Sequence, residues 1–159
     1  MERTVERELV PMAKALNLGI LAWSPLASGV LTGKYHGEGK ADGGRMTNEG
    51  MKDLLPKEQR AAPIISAVKS VSEQTGRSMA QVALAWLRHQ TVPVIPIIGA
   101  RKVSQLQDNL ASLDLELSAE QVKSLDGASQ IELGFPQSIY EREMVRGVRY
   151  GGTWDRLLL

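Results

Sequence analysis

The sequence predicts an α/β fold of parallel strands with flanking helices, and three observations predict it. Segments of helical period alternate with short apolar runs, in the order helix, strand, helix, strand, helix. Such alternation implies parallel strands joined by crossover helices. Each apolar run is short, has a break at both ends and lacks polar alternation, the pattern of a strand covered on both faces. Only two such runs are convincing. Two parallel strands patterned for burial do not complete a sheet, so the sequence reads as part of something larger.

The elements follow in order. From Val5 to Leu16 the residues Val5, Leu9, Met12, Ala13 and Leu16 recur at helical spacing, and Asn17 to Gly19 end the segment. Gly19 to Trp23 is the first strand, stopped by Ser24-Pro25. Leu26 to Met51 is long, polar and rich in glycine, and a loop of that length in a compact domain is functional or disordered. Lys57 to Thr75 reads as a helix ended by Gly76. Ser78 to His89 reads as a helix apolar nearly all round and well buried, with Ser78 as N-cap and Gln81 completing a capping box. Val92 to Ile98 is the second strand. Pro93 and Pro96 fit it best where part of the strand has no neighbour. Lys102 to Leu113 is amphipathic, with Val103, Leu106, Leu110 and Leu113 on one side. Ser118 and Gln121 open a helix from Ala119 to Ala128. A last helix, Ile139 to Arg149, in a tail holding Tyr140, Tyr150 and Trp154, is expected to pack on the rest.

Bulk properties bound the function. The 159 residues suit one domain, 1–159, with a real core. A net charge of +1 gives no field that would favour nucleic acid or an anionic membrane. There is no cysteine, so disulfides and thiolate metal sites are excluded. Glu2, Arg3, Glu6, Arg7 and Glu8 make the start of the chain unlike a signal peptide, and no apolar run approaches membrane-spanning length. A cytoplasmic protein is the expectation. The residues form no metal-ligand cluster in sequence.

Two segments carry candidate chemistry. In Leu21 to Tyr35 a strand end runs into Ser-Pro, small residues and glycines, which lets backbone N–H groups approach an anion. Ser24 and Ser28 add hydroxyls, Lys34 adds a charge, and Trp23 offers a flat face to an aromatic ring. The same residues also suit a core tryptophan followed by a loose surface loop. In Ile97 to Asn109 a strand meets a helix N-terminus through Gly99-Ala100, an anion site by virtue of free N–H groups and the helix dipole. Arg101 stands where a bidentate grip on phosphate is natural. Gln105, Asp108 and Asn109 share one helical face that could meet the polar edge of an adenine. A capped surface helix with solvated polar residues fits equally. Both segments lie at C-terminal strand ends, which in an α/β barrel carry the active face, so together they suggest one extended dinucleotide.

The runs WSPLASGVLTGKY (23–35) and PIIGARKVSQLQDNLASLDLELSAEQV (96–122) resemble the cofactor signatures of the aldo-keto reductases, in order and spacing. The likeness continues through Gly134-Phe135-Pro136 and Tyr150 to Thr153. It implies a partial (half) TIM-type (β/α) barrel and a C-terminal, NADP(H)-binding part of an oxidoreductase that reduces aldehydes or ketones. It also implies roles. Trp23 would stack on the nicotinamide. Ser24, Pro25, Leu26, Ser28, Gly29 and Leu31 would cover the pyrophosphate, with Lys34 a weaker member of that loop. Gly99, Ala100 and Arg101 would grip the 2′-phosphate, and Gln105, Asp108 and Asn109 would lie nearest phosphate and adenine. The family's Asp, Tyr, Lys and His tetrad finds no match here, so no catalytic residue is assigned. His36 and His89 are expected to be solvated. The expectation is therefore an enzyme half completed by a second polypeptide or a second copy, or else a cofactor-binding module without activity of its own.

Overall fold

A computed structural model describes residues 1–35, 58–140, 142–153 and 156. The loop from 36 to 51, with His36, and Lys57 and Trp154 lie outside the described residues. The chain is α/β. Strand β1 (Ile20–Trp23) pairs in parallel with β2 (Val94–Ile97), with Ile20 opposite Val94 and Trp23 opposite Ile97. Pro96 sits opposite Ala22. A proline is tolerated there because β1 is the only neighbour of β2 among the described residues, leaving one edge of β2 unpaired.

Helices follow the predicted order with three departures. Val5 to Leu16 is not one helix: a 3-10 turn, Thr4–Arg7, precedes α1, Leu9–Ala15, with Glu8 between them at φ −138°. Pro11 explains the break. In a continuous helix its ring would meet the Arg7 carbonyl and its missing N–H would leave that carbonyl unbonded; in the first turn of α1 neither cost arises. Helix α2 (Glu58–Thr75) ends at Gly76, whose φ of +64° suits glycine, and α3 (Met79–Arg88) is capped by Ser78, as expected. After β2, helix α4 (Val103–Leu110) tightens into a 3-10 turn, Ala111–Asp114, short of the predicted single helix. Helix α5 (Ala119–Ser129) opens with the predicted reciprocal cap between Ser118 and Gln121. The tail forms two short helices, α6 (Gln137–Tyr140) and α7 (Glu143–Tyr150), and neither buries a residue. The predicted single packed helix is thus replaced by a surface arm, in which Arg149 lies 4.5 Å from the Tyr140 ring and 5.2 Å from the Tyr150 ring.

The core is helical. Ile64, Val68 and Val71 of α2 meet Val82, Ala83 and Ala85 of α3, with Leu125 of α5 and Leu115 and Leu117 before it. In α3 every residue from Ala80 to Ala85 is buried, as its all-round apolar pattern demands. The strands differ from expectation. They are covered on one face only: Ile20, Ala22, Val94 and Pro96 are half-buried, whereas Leu21, Trp23, Ile95 and Ile97 face outward. The period-2 geometry of a strand sends those four to one side, and no described residue covers that side. The apolar stripes of α1 (Leu9, Met12, with Val5 and Leu16 beside it) and of α4 (Val103, Leu106, Leu110, with Leu113) are exposed as well. No helix among the described residues is long and apolar enough to cross a membrane.

Candidate functional site

Parallel pairing puts the C-terminal ends of the strands side by side, because Trp23 and Ile97 are direct partners. The two segments picked out in the sequence therefore leave the sheet at the same end, although they lie far apart along the chain.

The first segment is a tight, strained turn. Ser24, Ala27 and Ser28 have φ of 55°, 48° and 56°, and Gly29 has 93°. Left-handed backbone at three non-glycine residues within five positions is costly, on the order of 1–3 kcal/mol each, and such geometry gathers at binding loops. Local bonds hold it. The Ser28 N–H donates to Ser24 Oγ (3.2 Å), the Ala27 N–H to the Ser24 carbonyl (2.9 Å), and the Thr32 hydroxyl to the Gly29 carbonyl (2.7 Å). Leu31 is buried in the core and anchors the turn from below, and Leu26 packs against the same cluster. Lys34 folds back over Gly29: a β-carbon there would lie 2.6 Å from Lys34 Cε. Its ammonium also lies 4.8 Å from the Tyr35 ring centroid. Glycine at 29 is thus called for chiefly by its φ, since the flexible end of Lys34 can move aside. Trp23 is 70% exposed on the uncovered face of the sheet. A cavity of ≈ 560 Å³ opens beside Pro25, its wall formed by Ser24, Ser28, Ile64, Val68 and Trp86 among others.

In the second segment Gly99, Ala100 and Arg101 are exposed at the end of β2, and Lys102 is the N-cap of α4. Gln105 turns back toward the start of its helix, and its Oε1 accepts from the backbone N–H groups of Arg101 (2.8 Å) and Lys102 (3.2 Å). Asp108 points the other way, to the start of α3. Its carboxylate accepts from Ser78 Oγ (2.9 Å) and Gln81 Nε2 (2.7 Å). This replaces the capping box predicted at Ser78: Gln81 supplies its backbone N–H to the cap but sends its side chain to Asp108. Asn109 is buried, and its carbonyl accepts from the Ser112 hydroxyl (2.6 Å).

The two segments start from neighbouring strand ends, but Gln105, Asp108 and Asn109 of α4 have three different surroundings. Sequence reasoning missed Ser78 and Gln81 as neighbours of this segment, and it passed over Lys102, a second cation beside Arg101. For Lys102 the signal was present in the adjacent letters; for Ser78 and Gln81 only the packing of α3 on α4 reveals it. His89 is exposed just past the end of α3. Among the described residues no three His, Cys, Asp or Glu stand where they could hold a metal ion.

Residues 1–130 match the aldo/keto reductase family as a whole. The chain belongs to that family. Among its relatives are the uncharacterized oxidoreductase YrpG of Bacillus subtilis, 36% identical over 126 residues, and the norsolorinic acid reductase stcV of Emericella nidulans, 31% identical over 136 residues. The aldo-keto reductase ausK of Aspergillus calidoustus is 33% identical over 139 residues. These alignments take in 79%, 86% and 86% of this chain but 36%, 33% and 34% of the respective relatives. This aldo/keto reductase chain spans about a third of the length of the curated relatives it matches.

Proposed function

We propose that this chain is the C-terminal, cofactor-binding part of an aldo/keto reductase barrel and holds NADP(H) across the C-terminal ends of β1 and β2. The observation that carries the reading is the strand register, in which Trp23 pairs with Ile97, so that the strained turn and the Gly99–Lys102 junction start from neighbouring strand ends. The donor set fits a phosphate-bearing dinucleotide. Lys34 stands over one segment at Gly29, and Arg101 and Lys102 belong to the other. Ser24, Pro25, Leu26, Ser28, Gly29 and Leu31 would build the pyrophosphate wall, with Lys34 as its cation. Gly99, Ala100 and Arg101 would take the 2′-phosphate that distinguishes NADP from NAD, while Gln105, Asp108 and Asn109 would lie nearest phosphate and adenine. Trp23, exposed at the strand end, would offer its ring to the nicotinamide.

When bound, NADPH supplies the hydride for reduction of an aldehyde or ketone. The residues of this chain bind and orient it. Protonation of the carbonyl oxygen needs a positioned acid, and the reading assigns that acid to polypeptide other than the two segments described, since neither brings an acid and a supporting base together. The uncovered sheet face and the bare stripes of α1 and α4 support a half barrel whose neighbouring strands and helices come from a complementing half or a second copy. Calorimetric titration with NADPH and NADH tests the cofactor assignment. NADPH is expected to bind at least tenfold more tightly, the measure of one charge-assisted phosphate contact of about 1.5–3 kcal/mol. Equal affinities would sink it.

A further inference from the structure

We propose that Arg60 is a positioning residue: it fixes the seat on which the strained turn after Trp23 rests, and so the shape which that turn offers to a pyrophosphate. The inference rests on the cofactor reading of the turn and adds a residue that lies in neither segment. Arg60 stands in the first turn of α2, two residues after Glu58. A cation at a helix N-terminus opposes the dipole of its own helix, so α2 gains nothing from this charge. The guanidinium reaches instead to the C-terminal end of α5. Its Nη2 donates to the Ser129 carbonyl (2.7 Å) and its Nη1 to the Gln130 carbonyl (3.1 Å), while Nε donates to the Met1 carbonyl (3.1 Å). Carbonyls in the last turn of a helix lack partners within it, and a cation there meets the favourable end of the dipole. One side chain thus joins Met1, α2 and α5. Arg3 pins the same segment to α5: its Nη1 donates to Ser129 Oγ (2.7 Å) and to the Asp126 carboxylate (3.2 Å), and its guanidinium carbon lies 5.0 Å from the Trp86 ring centroid.

The turn needs such support. Left-handed backbone at Ser24, Ala27 and Ser28 persists only where the surroundings enforce it. One of its two buried anchors is Val30, which packs with Ala61 and Ile65 of α2 in a small cluster of its own. Met1 and Ala27, both partly buried, pack against that cluster. Ala61 is the residue after Arg60, and Met1 is the residue whose carbonyl Arg60 holds. Two sides of the Val30 seat therefore depend on one guanidinium. Without it Met1 and the first turn of α2 can shift, and the strain in the turn favours relaxation. The pyrophosphate is common to NADP and NAD, so a relaxed turn weakens both alike, in contrast to a loss at Arg101.

Three variants of the full chain test this. Arg60→Met keeps the length of the side chain and removes every donor. Arg60→Lys keeps a cation that can reach a carbonyl, and guards against misfolding of Arg60→Met. Arg88→Met is the matched control, because Arg88 also donates to backbone carbonyls, those of Leu113 and Leu115, and neither belongs to the Val30 seat. Amide exchange of residues 27–33 is measured without ligand, and affinities are measured for NADPH and NADH. Arg60→Met is expected to speed exchange in 27–33 and to weaken both cofactors about fivefold, the scale of one lost hydrogen bond, with their ratio unchanged. Arg60→Lys should recover part of the loss, and Arg88→Met should leave 27–33 and both affinities as in the unmodified chain. Unchanged exchange in Arg60→Met overturns the inference, and so does equal acceleration in Arg88→Met, the mark of a general loss of stability. Faster exchange with both affinities unchanged, or a loss confined to NADPH, overturns it too, because the seat would then not shape a pyrophosphate site. If the unmodified chain binds neither cofactor, the cofactor reading falls, and faster exchange confined to the Arg60 variants upholds the support by itself.

Discussion

Two residues decide the proposed cofactor chemistry. Arg101 stands on the exposed junction between β2 and α4 with Lys102 beside it. In the proposed reading its guanidinium is the group that separates NADP from NAD. Arg101→Ala is therefore expected to lower NADPH affinity by roughly 1.5–3 kcal/mol and to leave NADH affinity within about twofold. Calorimetry on the purified variant checks both numbers, and an equal loss for the two cofactors would move the phosphate contact elsewhere. Gly29 decides the shape of the other segment. Its φ of +93° and the 2.6 Å approach of Lys34 Cε leave no comfortable place for a β-carbon. Gly29→Ala should destabilise the chain by about 1–2 kcal/mol, read as an earlier midpoint in urea. The Lys34 end can swing away, so the cost comes mainly from the backbone angle; an unchanged midpoint would mean that the turn relaxes freely. Both residues were legible in the sequence by type and neighbourhood. The hydrogen-bond partners of Gln105 and Asp108 were not. Spacing places them on one side of a helix, but which neighbour each side chain reaches depends on how α4 lies against α3.

At the scale of elements, periodicity was a good guide to existence and a poor one to surroundings. The apolar pattern of α3 is nearly all-round, and the helix is buried accordingly, with Val82 completely enclosed. The stripe of α4 is equally regular, yet Val103 is 73% exposed. Pattern reports which face is apolar, whereas burial needs a partner, and that partner is absent from the described residues beside α4. A pair of substitutions separates the two cases. Val82→Ala is expected to cost about 2 kcal/mol in thermal or denaturant unfolding of the isolated chain, through lost burial and a residual void. Val103→Ala should fall within about 0.5 kcal/mol of the unmodified chain. A large effect at Val103 would show that α4 is covered in solution. The strands carry the same lesson. A short apolar run without alternation reads as buried on both faces, but β1 and β2 have one covered face and one bare. Pro11 is a further instance: helical spacing from Val5 to Leu16 was sound, and only the proline ring dictates the break at Glu8.

For the molecule as a whole, in the proposed half-barrel reading the bare sheet face and the stripes of α1 and α4 are the surfaces that adjoining strand–helix units would cover. The sequence already pointed there, because two runs patterned for burial cannot cover each other. It could not show that the core would form almost wholly among α2, α3 and α5, leaving the sheet as an uncovered flank. Apolar area left in water drives association, so the isolated chain is expected to self-associate with rising concentration in sedimentation experiments. A stable monomer throughout the micromolar range would contradict that. If one ligand lies across the two strand ends, hydrogen exchange with and without saturating NADPH will report both at once. Exchange is expected to slow in 24–35 and in 99–105 together, with the same dependence on NADPH concentration. Slowing in only one of the two segments, or in neither while the ligand binds elsewhere, would contradict it.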